Sequence, residues 1–409
     1  MEVDRSIINP QMKTLLFGLL GWNIAETTRM LELARHLSPF YACHFVTYGG
    51  MFVHLVKEAG YRVHTLQPIE TAEKIQHIWR INRGEHFKQP WSVDELIQRV
   101  EGEMALIETL KPSFIVLGFV LSLSYSARLT KRPLVHLTPL PLARLYLEAN
   151  FPHYPNAPFV MRWLVARAVM QLPILLSNFR AVAKHYGLKP PRSFFDVWNG
   201  DVNLLSEVPG LSLIDALPSG WHFVGPWFAH LKRPIPPQIE TILAQSAQPK
   251  LYFAMGSSGS LAVMRVILRA LSDVPIQVIA PIQSYLEAED KIPANVHVCD
   301  WLPALEVCKR VDFGLVHGGQ GTLQTLAYAG KPFIGIGMQA EQDLNVLVYQ
   351  RAGSAIRLQK RGLNEVKVRA ALVAMMTNQS FATCAIEVQS RLQAFDKVNA
   401  LMNALKDLD

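Results

Sequence analysis

Short apolar runs alternate with longer stretches whose apolar positions recur three and four residues apart, and this alternation passes through the chain twice. In the first pass KTLLFG, CHFVTY, FIVLGF and PLVHL read as strands buried on both faces. ETTRMLELARHL, MFVHLVKEAG and VDELIQRVEGEMALIETL read as the helices between them. From KLYFAMGSSGS onward the pattern resumes through VPIQVIA, VHVCD, FGLV and FIGIG. Strand and helix in turn predict a parallel, doubly wound sheet, and two such passes predict two Rossmann-like α/β domains. Proline-rich GPWFAHLKRPIPPQ, residues 225–238, reads as a linker. The expected division is an N-terminal domain over 1–224, a C-terminal domain over 239–390, and a final helix over 391–409 that crosses back to the first domain.

Composition narrows the class. With 409 residues, half of them hydrophobic and 18% charged, the chain is globular and too long for one ordinary core. Its net charge of +7, with a pI near 9.2, is spread along the chain. That suits phosphate-bearing or membrane-surface partners and does not point to nucleic acid. Cys43, Cys299, Cys308 and Cys384 form no C-x-x-C pair, so neither a zinc site nor a disulfide framework is expected, and a reducing compartment is favoured. The opening MEVDRSIINPQ carries acids and no apolar core, so no secretory signal is expected. Uncharged runs such as SFIVLGFVLSLSYSA are laced with Gly and Ser and do not read as transmembrane helices. The expected location is the cytoplasm. Residues 151–191 are apolar with interspersed Arg162, Arg167, Arg180 and Lys184, and Pro173 interrupts their pattern. They suit the wall of an apolar acceptor pocket or, as the second reading, peripheral contact with a membrane.

Candidate chemistry concentrates in VHGGQGTLQTLAYAGKP, residues 316–332. A strand ends near Val316 and a helix ends at Gly330, which puts Gly318, Gly319 and Gly321 at the junction beside His317. Unpaired N–H groups and the positive dipole end of a helix attract an anion, and glycines let it reach the backbone. The spacing is neither G-x-G-x-x-G nor a P-loop, because Lys331 falls at the far end of the helix. Three further stretches follow predicted strands. MGSSGS offers Gly256, Ser257 and Ser258 to a phosphate; CDWLP presents Trp301, whose indole can stack on a base; GMQAEQDLN sets Glu341 beside Gln342, acceptors suited to sugar hydroxyls. Each alone has a plainer reading as a turn, a core tryptophan or dipole compensation. In paired Rossmann-like halves, the carboxyl ends of the strands place a ligand in the cleft between them.

In this order and spacing the motifs resemble the nucleotide-sugar-dependent glycosyltransferases of the GT-B fold, the family of plant secondary-metabolite, macrolide and glycopeptide glycosyltransferases. The resemblance is strongest over residues 250–357. It implies that His317 and the backbone of Gly319, Gln320, Gly321 and Thr322 hold a diphosphate together with Gly256 and Ser257. It further implies that Trp301 and Leu302 receive the base and that Glu341 and Gln342 hold the donor sugar. UDP is the default nucleotide, with dTDP open, because Thr325 stands where the family has a ribose-binding glutamate. Gly118 stands where many relatives have an aspartate, so a His–Asp dyad is not expected. Counting back from Leu33–Ala34, the family's catalytic His or Asp falls on Glu26, which is read as the general base. Thr27 or Thr28 is expected to cap the following helix, leaving Glu26 just before it, ionised by the dipole and only modestly basic. His54, His64 and His136 read as structural. The activity implied is inverting transfer of a sugar to a hydroxyl of an apolar small-molecule or lipid acceptor, without metal or other cofactor. An epimerase of the same fold, which would convert the donor with no acceptor, and a catalytically silent nucleotide-sugar binder are the competing readings.

Overall fold

The computed structural model describes residues 12–82, 85–86, 88–138, 143, 173–212, 214, 216–228, 233–245, 247–256 and 259–408. The chain divides into two compact units. Unit 1 comprises residues 1–207, 214–229 and 397–409, and unit 2 comprises 208–213 and 230–396.

Unit 1 is built on a seven-stranded sheet of β1 (Thr14–Leu19), β2 (Ala42–Thr47), β3 (Arg62–Thr65), β4 (Phe114–Leu117), β5 (Leu134–Thr138), β6 (Val202–Leu205) and β7 (Trp221–Phe223). The spatial order is β3-β2-β1-β4-β5-β6-β7, and every pairing is parallel. Helices α1 (Ile24–Leu37), α2 (Val53–Glu58), α3 (Ala72–Asn82), α4 (Val93–Leu110), α5 (Leu123–Leu129), α6 (Pro173–His185) and α7 (Phe195–Trp198) follow or link these strands. The unbroken apolar run of β1 is explained by two cores, one on each face of the sheet. Leu15, Phe17 and Leu19 pack with Met30, Leu33, Ala34 and Leu37 of α1, whereas the intervening Leu16 packs with Ile107 of α4.

Unit 2 repeats the plan with β8 (Lys250–Ala254), β9 (Gln277–Ala280), β10 (Val296–Val298), β11 (Phe313–Val316), β12 (Phe333–Ile336) and β13 (Ala355–Leu358), ordered β10-β9-β8-β11-β12-β13 and all parallel. Its helices are α8 (Pro237–Gln245), α9 (Leu261–Leu271), α10 (Ala304–Cys308), α11 (Gln320–Tyr328), α12 (Ala340–Arg351), α13 (Glu365–Thr377) and α14 (Ser380–Ala394). After a break at Phe395, α15 (Lys397–Leu405) packs on β6 and β7 of unit 1.

Several local expectations need correction. The first helix starts at Ile24, not at its threonines: Asn23 is the N-cap, its side chain accepting from Ala25 N (3.0 Å) and Glu26 N (3.2 Å). The Thr28 hydroxyl instead donates to the Ile24 carbonyl at 2.8 Å. Glu26 therefore lies within the first turn rather than before it. Pro173 opens a helix instead of interrupting one, as its missing N–H allows at a first helical position. Arg162 and Arg167 lie outside the described residues; Arg180 donates to the Pro191 carbonyl at 2.9 Å. Strands β3, β6, β7 and β13 were not anticipated. No described helix is long and apolar enough to cross a membrane.

Candidate functional site

In both sheets the strand order reverses direction at one place, between β1 and β4 in unit 1 and between β8 and β11 in unit 2. At such a switch point the loops leaving adjacent strands diverge and open a crevice at the carboxyl ends. Glu26, Gly256 and His317 with its glycine loop lie at these two places, whereas Trp301 and Leu302 follow the edge strand β10 and Glu341 and Gln342 follow β12.

In unit 1 the loop after β1 leads to Glu26, and the loop after β4 begins with Gly118 and Phe119. Glu26 is 2% exposed. Its Oε2 accepts from Leu20 N at 3.2 Å and its Oε1 from Phe119 N at 3.4 Å. Burial pushes the carboxyl up to about 7, and the two backbone donors and Arg29 offset only part of that rise. The expectation of a dipole-stabilised, weakly basic carboxylate is thus revised, because desolvation outweighs the helix end. Of the three histidines read as structural, His136 is fully buried against Phe119 and Trp198 and held at about 3 by burial. His64 bonds His44 at 3.0 Å, and the His54 ring contacts the Met51 carbonyl at 2.7 Å.

In unit 2 Gly256 follows β8 and His317 follows β11, on adjacent strands. The imidazole is wedged between glycines. A Cβ on Gly256 would stand 2.2 Å from His317 Cε1, and one on Gly319 would stand 2.4 Å from its Nε2. His317 is 6% exposed, and burial lowers it to about 4 against an opposing backbone bond to Ala254, so the ring is neutral at pH 7. Helix α11 has Gly319 as N-cap, with no side-chain capping bond and no acid in its first turn. Among the described residues, a Cβ at Gly321 would meet no atom within 4 Å beyond its chain neighbours and its own helix backbone. Gln320 is buried and Thr322 half-buried. Ser257 and Ser258 lie outside the described residues.

After β12, Glu341 and Gln342 occupy the first turn of α12; the Gln342 carbonyl oxygen of the side chain accepts from Met338 N at 3.0 Å. Asn345, a turn further on, was not singled out from the sequence. Its amide donates to the Gly318 carbonyl at 3.1 Å and to Glu341 Oε1 at 2.9 Å, tying the glycine loop to the acid. The i, i+4 spacing of Glu341 and Asn345 was the available signal. Trp301 follows β10, two strands from β8; it is only half-buried, with the Arg233 guanidinium 5.3 Å from the ring centre, while Leu302 beside it is buried. A tryptophan sealed in a core, such as Trp227 at 1% exposure, looks different. Thr325 is buried and its hydroxyl donates to the Gly321 carbonyl at 2.7 Å. Among the described residues no group of three or more His, Cys, Asp or Glu is placed to hold a metal ion, and all four cysteines are free thiols.

The whole architecture is that of solved glycosyltransferases. A spinosyn forosaminyltransferase superposes with a TM-score of 0.72 over 97% of this chain and 99% of its own, at 16% identity. A spinosyn rhamnosyltransferase complexed with thymidine diphosphate gives 0.67 over 97% and 100%, also at 16% identity. The chain is a nucleotide-sugar-dependent glycosyltransferase of the GT-B fold, related to the secondary-metabolite glycosyltransferases, and it transfers a sugar from a nucleoside diphosphate sugar to a small-molecule acceptor. Within that class, residues 265–406 match the family described as erythromycin biosynthesis protein CIII-like, C-terminal domain. A PGL/p-HBAD biosynthesis glycosyltransferase of Mycobacterium tuberculosis is 29% identical over 391 residues, which are 91% of this chain and 86% of that protein.

Proposed function

We propose that the transfer is inverting, that unit 2 holds the donor and unit 1 the acceptor, and that Glu26 is the general base. The observation that carries this reading is the Glu26 carboxylate, enclosed at the switch point of unit 1 with a pKa raised to about 7. A base whose pKa lies near the working pH is both ionised in a good fraction of molecules and strong enough to take a proton. The acceptor hydroxyl gives its proton to Glu26 as its oxygen bonds to the anomeric carbon. The bond from that carbon to the diphosphate breaks in the same displacement, so configuration inverts. Charge left on the diphosphate faces the N–H groups that open α11 and the imidazole of His317, with Gly256, Gly319, Gln320, Gly321 and Thr322 around it, and Ser257 is read as a further phosphate contact. Trp301 and Leu302 receive the base, and Glu341 and Gln342 hold the sugar hydroxyls.

UDP is the default donor nucleotide, but one observation favours a thymidine nucleotide as a second reading. The Thr325 hydroxyl donates to the Gly321 carbonyl, so what it offers a ribose is one neutral acceptor in place of a charged carboxylate able to take both ribose hydroxyls; that weakens the demand for a 2′-hydroxyl, and a solved relative carries thymidine diphosphate. The acceptor is read as an apolar alcohol or phenol, or a lipid bearing one, with peripheral membrane contact as the accompanying expectation. Incubation with a panel of UDP- and dTDP-sugars and mixed apolar acceptors, read by mass spectrometry, tests the reading. Glycosylated acceptor is expected, and Glu26→Gln should lower its formation by at least roughly 10²-fold while donor binding holds. Isomerised donor formed without any acceptor would favour an epimerase instead.

A further inference from the structure

Gly118 has a reason to lack a side chain, and the reason lies on another element. A Cβ built on Gly118 would stand 2.0 Å from Glu26 Oε1 and 3.1 Å from Glu26 Cδ; the Gly18 carbonyl oxygen would lie 2.8 Å away. Its φ is outside the left-handed region, so the backbone itself does not demand glycine. The space beside the end of β4 is therefore filled by a carboxylate arriving from α1. The N–H groups of Leu20 and Phe119 meet its two oxygens there, at 3.2 and 3.4 Å.

We infer that Gly118 is a positioning residue for the reaction: the missing side chain lets an acid as long as glutamate fold back over the ends of β1 and β4 and take its orientation from two backbone N–H groups. The inference rests on the reading of Glu26 as base. It explains why a carboxylate in the first turn of a helix turns inward, away from the solvent that would keep it an ordinary acid. Gly118 and Glu26 then act as one unit, and neither can be changed alone without cost to the other.

The test is a double-mutant cycle between the two positions. Gly118→Ala should push the carboxylate out of its place, lowering kcat by at least roughly 10-fold while the KM for the nucleotide sugar stays within about two-fold. In a Glu26→Ala background the added methyl enters vacated space. There Gly118→Ala should change residual turnover less than about two-fold and lower the melting temperature by less than half of its effect in the parent, since of the three nearest atoms two belong to the Glu26 carboxylate and the Gly18 carbonyl oxygen remains. Glu26→Asp, which withdraws the carboxylate by one methylene, should restore part of the turnover lost in Gly118→Ala. Equal losses of turnover and of melting temperature in both backgrounds would overturn the inference, because Gly118 would then act through the main chain. Misfolding of Gly118→Ala alone supports it if Glu26→Ala/Gly118→Ala folds, and misfolding of both counts against it. Near-native turnover in Glu26→Ala would remove the base reading, while the melting temperatures would still decide whether Glu26 fills the space at position 118.

Discussion

Glu26 gives up nearly all its water on folding, and its carboxyl rises from 4.5 to about 7 as a result. A raised pKa means that the folded state binds a proton more tightly than the unfolded chain. The stability contributed by protonated Glu26 is thus fully present below about 4.5 and is lost as pH climbs to about 7. At about 1.4 kcal/mol per pKa unit the ceiling on that loss is roughly 3 kcal/mol. Glu26→Gln does not titrate. Its stability relative to the parent should improve by up to ~3 kcal/mol between those two pH values, even though one of the two N–H donors loses its acceptor at a cost of ~1–3 kcal/mol. Denaturant titrations at pH 4.5, 6 and 8 would show it, and a difference independent of pH would contradict the pKa. Parent turnover should fall as pH drops below about 7, as a base that must be ionised requires.

At the scale of elements, the strand, loop and helix spanning β11 and α11 form the donor half of the proposed site. The neutral imidazole of His317 has a single N–H; turned from the Ala254 carbonyl to an anion it makes one hydrogen bond, worth roughly 1.5–3 kcal/mol when the acceptor is charged. His317→Ala should accordingly weaken nucleoside diphosphate binding by roughly 10-fold or more and leave nucleoside binding within about two-fold, by calorimetry. Equal losses for both ligands would remove the phosphate assignment. Most of this element was legible beforehand, because a glycine-rich junction between a strand and a helix is a local pattern. The start of α1 was misread for an equally local reason: Thr27 and Thr28 are good caps, but Asn23 stands a turn earlier and takes the role. Strand β3, with the sequence RVHT, has no buried position, and its extended form comes from pairing with β2. The Gly118–Glu26 contact was invisible because nothing in the chain between the two residues encodes it.

For the molecule as a whole, α15 leaves unit 2 and completes unit 1. Leu401, Ala404 and Leu405 are buried in the same core as Val202, Leu204, Val224 and Trp227, and Lys397 Nζ lies 4.8 Å from the Trp227 ring centre. Burying the two leucines is worth roughly 3–6 kcal/mol. Truncation after Asp396 should lower the melting transition of unit 1 and abolish transfer, while nucleotide binding by unit 2 stays within about two-fold. Calorimetry in the presence and absence of nucleoside diphosphate would separate the two transitions, and an unchanged unit 1 transition would refute the assigned role of α15. The same return path bears on the order of events during synthesis. Every strand of unit 2 leaves the ribosome before residues 397–405 do, so unit 2 can close its sheet on the nascent chain. Unit 1, begun first, must wait with one flank of its core uncovered until translation has passed through its neighbour.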